Sequence, residues 1–172
     1  SEAIEDQVFV AINAADLILF VVDGREGCTP LDEEILAQLR KSGKTPYLII
    51  NKIDSSGLEE QALEFSHFGL DSSFHVSAEH GRGINDLKRG IRNFLGKRPR
   101  NEIESNTERI KICFIGRPNV GKSALCNSLL ESEKLIVNEV AGTTRDVIEL
   151  DLDHTDSCGN KWGFRLVDTA GI

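Results

Sequence analysis

The run Gly116-Arg117-Pro118-Asn119-Val120-Gly121-Lys122-Ser123 fits the spacing Gly-x-x-x-x-Gly-Lys-Ser/Thr. Its residue types suit one task, holding a polyphosphate. Glycine lets backbone N–H groups approach an anion with no Cβ in the way. A helix that begins where the run ends aims the positive end of its dipole at the same anion. Lys122 would reach the outer phosphates, and the Ser123 hydroxyl would bind magnesium. The plainer alternative is a strand–turn–helix that matches by accident. The flanks favour the phosphate reading. Ile110 to Ile115 is an apolar, β-prone segment, and Ala124 to Glu131 reads as a helix.

Other short motifs supply what a phosphate loop lacks. Asp168-Thr169-Ala170-Gly171 closes an apolar strand and offers a carboxylate for magnesium, with the Gly171 N–H near a terminal phosphate. Asn51-Lys52-Ile53-Asp54 also follows a strand. The Asp54 carboxylate can accept from both the N1–H and the 2-amino group of guanine, a donor pair that adenine does not present. Lys52 can lie along the base, and the backbone of Ser77-Ala78 can bond its O6. Thr143-Thr144 lies between a helix and a strand, where a switch threonine would sense a γ-phosphate and its metal. Each of these motifs alone has an ordinary reading, as a polar turn, a strand end or a cap. Together they fill the roles of a GTP/GDP site with Mg2+.

These residues need a scaffold. Ile4, Val8, Ala11, Ile12 and Ala15 form a helical stripe over Glu2 to Ala15. Leu17 to Val22 is a continuous apolar run, as in a strand covered on both faces. Thr29 reads as an N-cap with Pro30 at the first helical position, and Leu31, Ile35, Leu36 and Leu39 give that helix its buried face. Tyr47 to Ile50 and Ser73 to Val76 read as strands, with a short helix from about Leu58 to Ser66 between them. Ile84, Leu87, Ile91, Phe94 and Leu95 mark a helix stopped at Gly96. Lys97 to Arg109 is a polar linker. Alternation at Ile148, Leu150 and Leu152 predicts a strand with one wet face, expected at the sheet edge. Asp153 to Asn160 reads as a turn, and Trp162 to Val167 as the last strand. Strands alternating with helices imply an α/β fold with a mostly parallel sheet.

Composition narrows the class. The chain has 172 residues, 40% hydrophobic and 28% charged, enough for a packed core. No apolar run is long enough for a membrane span. The acidic start reads as neither signal nor transit peptide. Cys28, Cys113, Cys126 and Cys158 are far apart in sequence, which suggests reduced thiols in a cytoplasmic protein. The four histidines show no metal-ligand spacing. A net charge of −8 argues against broad nonspecific nucleic-acid binding by the whole chain.

At this level of detail the sequence resembles the Der family of bacterial tandem GTPases. Asp16 to Gly27, Thr29-Pro30 and Asp32-Glu33 resemble the second half of that family's first G domain. Gly116 to Ser123, Ala141 to Asp146 and Asp168 to Ile172 resemble the first half of its second. The resemblance implies a P-loop NTPase G-domain fold, a three-layer sandwich in circularly permuted order. It divides the chain into residues 1–96 with the guanine-reading loops, a linker at 97–109, and residues 110–172 with the phosphate loop. It implies an excerpt of a longer protein, with a further phosphate loop before Ser1 and further domains after Ile172.

The resemblance also implies GTP hydrolysis to GDP and phosphate, and work with the ribosomal large subunit and its rRNA. The metal ligands implied are Ser123, Thr144 and Asp168. Ile172 stands where related enzymes keep a water-orienting glutamine. A potassium ion held partly by Asn119 takes the role of an arginine finger there. Lys122, Thr144 and Asn119 are then the catalytic residues. The two halves are expected to close into one composite domain, within one chain or by exchange between two chains in a domain-swapped dimer. Two other readings stay open. One is a naturally permuted ribosome-assembly GTPase. The other is a GTP-gated rRNA-binding module in which Lys97, Arg98 and Arg100 touch RNA, against a plain solvated linker end.

Overall fold

β1 (Leu17–Asp23) is buried along its whole length and forms the spine of the molecule. A computed structural model describes residues 9–96, 109–131, 136–139, 147–155, 159 and 161–169. Side chains on β1 alternate between two cores, as the period-2 geometry of a strand requires. Ile18, Phe20 and Val22 join Ile35, Leu36 and Leu39 of α1 (Pro30–Lys41), and Phe65 and Phe68, on one side. Leu17, Leu19 and Val21 join Ile84 and Leu87 of α3 (Ile84–Gly96) and Leu125 of α4 (Lys122–Glu131) on the other. The result is a sheet between two helical layers, the three-layer sandwich expected. Each large apolar side chain buried this way contributes about 1.5–3 kcal/mol.

Among the described residues the sheet has seven strands in the order β3-β2-β1-β4-β7-β6-β5. β2 is Tyr47–Asn51, β3 Ser73–His75, β4 Ile110–Ile115, β5 Ile136–Glu139, β6 Val147–Thr155 and β7 Lys161–Thr169. Pairing is parallel from β3 through β7, and β6 and β5 run antiparallel. The decisive neighbours are β1 and β4, which come from the two ends of the chain. They pair with Leu17 opposite Ile112 and Phe20 opposite Ile115. Asp16 fixes that register at its start. Its N–H donates to Lys111 O at 2.8 Å, and its carboxylate accepts from Lys111 N–H at 2.9 Å. Early and late segments thus share one sheet and both cores within a single chain.

α1 begins with a complete capping box. Asp32 N–H donates to Thr29 Oγ1, and Asp32 Oδ2 accepts from Thr29 N–H. Leu31 is 37% exposed rather than buried, while Asp32 is 0% exposed. Asp32, bonded to Thr29 in the capping box, faces Arg117 at 3.4 Å, and Leu31 one position earlier lies on the outer side. The short helix after β2 is α2 (Ser56–Gln61), continued by a 3-10 helix, Ala62–Phe68. Residues 9–14 are helical, with Ile12 buried and Phe9 and Val10 exposed. The earlier part of the expected helix lies outside the described residues.

The strand with Ile148, Leu150 and Leu152 is not an edge. β5 pairs with its far side, so β5 is the edge. Alternation reports which face is solvated. It says nothing about whether both hydrogen-bonding sides are taken. β6 also runs on to Thr155, shortening the expected turn. Arg109, assigned to the linker, instead docks on β6, donating to Leu152 O at 3.1 Å and to Asp153 at 2.8 Å. Residues 97–108 lie outside the described residues. Among the described residues no helix is long and apolar enough to cross a membrane.

Candidate functional site

β1, β2, β4 and β7 are mutually parallel neighbours, so their carboxyl ends converge on one rim of the sheet. Open parallel sheets place ligands on that rim. Asp23 ends β1 and lies opposite Asn51 at the end of β2, and Phe114 of β4 lies opposite Asp168 of β7.

The phosphate-type loop leaves β4 at Gly116 and enters α4 at Lys122. Its glycines are forced by what surrounds them. A Cβ at Gly116 would sit 2.3 Å from Val21 O, a backbone atom that cannot yield. Gly121 adopts φ +98, and a Cβ there would meet Asn51 Nδ2 at 2.3 Å. Lys122 is 7% exposed, and its ammonium donates to Gly116 O at 2.7 Å and to Arg117 O at 3.0 Å. The loop is therefore already wrapped around its own cation. Ser123 stands exposed in the first turn of α4.

Asn51 ties three loops together. It is 2% exposed. Its amide donates to Val120 O at 2.9 Å, and its Oδ1 accepts from Ala78 N–H at 3.1 Å. The Asn51–Asp54 loop, the Ser77-Ala78 loop and the phosphate-type loop are thereby held side by side. Ser77 and Arg82 exchange two backbone hydrogen bonds that close the Ser77 loop. Lys52 has φ 67 and Asn119 has φ 65, both in the left-handed region that costs a non-glycine residue energy. The two strained residues meet, with Lys52 Nζ donating to Asn119 O at 2.7 Å and to Asp23 Oδ2 at 2.6 Å. Burial alone would push the Asp23 carboxyl up. The Lys52 ammonium and the backbone N–H groups of Arg25 and Glu26 outweigh it and hold it below its usual value.

Asp54 is engaged by the Arg25 guanidinium, which lowers the Asp54 pKa and raises that of Arg25. A second ion pair crosses from the late segment to the early one. Arg117 is 11% exposed and contacts Glu26 at 2.7 Å and the buried Asp32 at 3.4 Å. Sequence reading missed Asp23, Arg25 and the Arg117–Asp32 contact. Asp23 carried a readable signal, since it is a carboxylate closing a buried strand just as Asp168 is.

Of the expected site residues, Asn51, Lys52, Ile53, Asp54, Ser77, Ala78 and Gly116 to Ser123 gather on this one rim. β7 carries the backbone of Asp168 to the position beside β4, and Thr169 ends the strand. Thr144, Ala170, Gly171 and Ile172 lie outside the described residues. The assembled rim offers backbone donors, a buried ammonium and a hydroxyl to an anion, and a carboxylate to a paired N–H donor.

Cys28, Glu33 and His67, which show no metal-ligand spacing in sequence, bring their ligand atoms within 4.8 Å of one another. Among the described residues, Cys28, Cys113 and Cys126 form no disulfide.

A family model described as "50S ribosome-binding GTPase" matches residues 1–52 and 111–172. GTPase Der of Xanthomonas campestris pv. campestris (strain B100) is 46% identical over 167 residues, covering 96% of this chain and 35% of that protein. GTPase Der of Syntrophotalea carbinolica is 44% identical over 97% of this chain and 37% of its own length. GTPase Der of Aquifex aeolicus is 44% identical over 94% and 35%. The chain thus spans about a third of these relatives. Among solved structures, YjeQ from Thermotoga maritima superimposes with a TM-score of 0.58 over 91% of this chain and 48% of that one. At 23% identity that likeness bears on the fold alone.

Proposed function

The chain belongs to the 50S ribosome-binding GTPase family, and from that premise we propose that its rim is a composite guanine-nucleotide site that serves GTP hydrolysis. The Asn51 amide carries the proposal, because it fixes a base-reading loop against a phosphate loop drawn from the other end of the chain. Asp54 reads the N1–H and 2-amino edge of guanine. Ala78 N–H is already committed to Asn51 and Ser77 N–H to Arg82 O, so the Ser77 hydroxyl and the backbone beyond Ala78 are left for O6. Gly116 to Ser123 receive the phosphates, and Lys122 exchanges its loop carbonyls for phosphate oxygens.

The donor set also fits magnesium, with the Ser123 hydroxyl at the head of α4 and Asp168 on β7 beside β4. Ser123, Thr144 and Asp168 would hold it. Magnesium, when bound, neutralises charge on the β- and γ-phosphate oxygens.

In the whole protein we assign GTP turnover to large-subunit assembly. Residues 1–96 derive from one G domain and 110–172 from the next, read in circularly permuted order. Closure within one chain is the reading adopted, with β1–β4 pairing as its joint, and light scattering of a nucleotide-binding monomer tests it. Asn119 would hold a potassium ion, so turnover in the whole protein should be faster in potassium than in sodium salts. Equal rates would argue against that role. Calorimetric titration of this chain with GDP and ADP tests the site itself. Guanine-selective binding at one nucleotide per monomer is expected, and equal affinity for GDP and ADP would refute it.

A further inference from the structure

His67, near the end of the 3-10 helix, presents Nε2 3.3 Å from Glu33 Oε1 and 4.0 Å from Cys28 Sγ. The other ring nitrogen, Nδ1, faces Glu64 O, which accepts its proton and aims Nε2 at the cluster. Metal-bound histidines are held this way, by a hydrogen bond from the ring nitrogen that does not bind the ion. Glu33 projects from the first turn of α1, a turn made rigid by the Thr29–Asp32 capping box. Cys28 is clamped as well, its N–H donating to the Glu64 carboxylate. Donor atoms around a tetrahedral zinc lie roughly 3.3–3.7 Å apart, given metal distances of about 2.0–2.3 Å. His67 is 3.3 Å from Glu33 and 4.0 Å from Cys28, and all three donor atoms lie within 4.8 Å of one another, so a closure of up to roughly 1.3 Å reaches that spacing.

We propose that Cys28, Glu33 and His67 form a divalent transition-metal site of the zinc type, with three protein ligands and an open fourth position. A sulfur, nitrogen and oxygen set selects zinc-like ions over magnesium or calcium, which prefer oxygen alone. Glu33 and His67 are exposed and Cys28 is half-buried, so the fourth position faces solvent. As the sulfur–metal bond forms, the thiol proton passes to solvent. The bound ion joins the β1–α1 loop to the 3-10 helix, two segments otherwise linked there through Glu64. None of these residues takes part in the nucleotide site, so the two readings stand or fall separately.

Cobalt(II) alone, titrated into the nucleotide-free chain, is the test. The expected result is one equivalent per chain with a thiolate-to-cobalt charge-transfer band that zinc displaces. Cys28→Ser should abolish the band, and Cys158→Ser should keep it. His67→Ala and Glu33→Gln, both at exposed positions with little risk to folding, should each weaken binding at least about tenfold, a loss that even outer partners of a metal site commonly cause. No charge-transfer band would overturn the proposal. So would a band that survives Cys28→Ser, or affinity unchanged in both His67→Ala and Glu33→Gln.

Discussion

Asn51→Ala should loosen the joint between the early and late segments of the chain. The wild-type amide satisfies Val120 C=O and Ala78 N–H at a position 2% exposed. Truncation leaves both backbone groups buried and unpaired, at about 1–3 kcal/mol each. The loss expected is therefore about 2–6 kcal/mol, against the 5–15 kcal/mol that holds a typical domain together. Water entering the gap would bring the figure toward its lower end. Asn51→Asp keeps the acceptor for Ala78 N–H but removes the donor and sets a carboxylate against Val120 O. It should therefore lose at least the Val120 share, and more if repulsion is not relieved. Urea unfolding followed by far-ultraviolet circular dichroism measures both variants. Where Asn51→Ala stays folded, GDP affinity should fall too, because the phosphate loop loses its anchor to the base-reading loop. A loss below about 0.5 kcal/mol, the range of ordinary surface substitutions, with GDP affinity unchanged, would refute the claim that this amide joins the loops.

Arg25→Ala should raise GDP affinity. Arg25 occupies the Asp54 carboxylate that guanine needs, and an exposed pair of this kind is worth about 1.5- to 5-fold in an equilibrium. Displacement of a fluorescent GDP measures it, and weaker binding would mean that Arg25 supports the base instead. Stability should fall in acid. Asp23 and Asp151 both have lowered carboxyl pKa values in the folded chain. In Asp23 the Lys52 ammonium and the backbone N–H groups of Arg25 and Glu26 together outweigh burial, and in Asp151 the Arg165 guanidinium dominates, with Arg109 adding to it. A lowered folded value means stability that is fully present above the unfolded carboxylate value of about 3.9 and is lost as pH falls through the folded value. Urea midpoints should hold from pH 7 to about 5 and drop below about 4, less steeply in Asp151→Asn. A flat profile down to pH 3 would contradict the assignment.

The rim was legible because its chemistry is written in short local motifs. Gly116–Ser123 and Asn51–Asp54 each carry their residue types within a few positions, and each sits where a parallel strand ends. The two cores were legible for a similar reason, since the run Leu17–Val22 has no polar gap. What escaped depended on partners distant in sequence. β5 is too short to show a period, and its pairing with β6 is what removes β6 from the edge. Leu31 occupies an apolar helical position, yet Asp32, bonded to Thr29 and facing Arg117 from the other end of the chain, is the buried residue. Cys28, Glu33 and His67 lie on separate elements, so no spacing rule finds them. Arg25 looks like an ordinary turn residue until Asp54 is placed beside it.

The central claim is that a base reader from one end of the chain serves a phosphate loop from the other. Asp54→Asn tests it most directly, since the change is nearly isosteric at a half-buried loop position. Xanthine replaces the 2-amino donor of guanine with a carbonyl acceptor, which an amide can satisfy and a carboxylate repels. GDP and XDP binding by the wild-type chain and by Asp54→Asn should be compared by calorimetry, with light scattering to establish that each is monomeric. The account predicts that preference switches from GDP to XDP with one nucleotide bound per monomer. GDP affinity unchanged by Asp54→Asn, or nucleotide bound only by dimers, would contradict it.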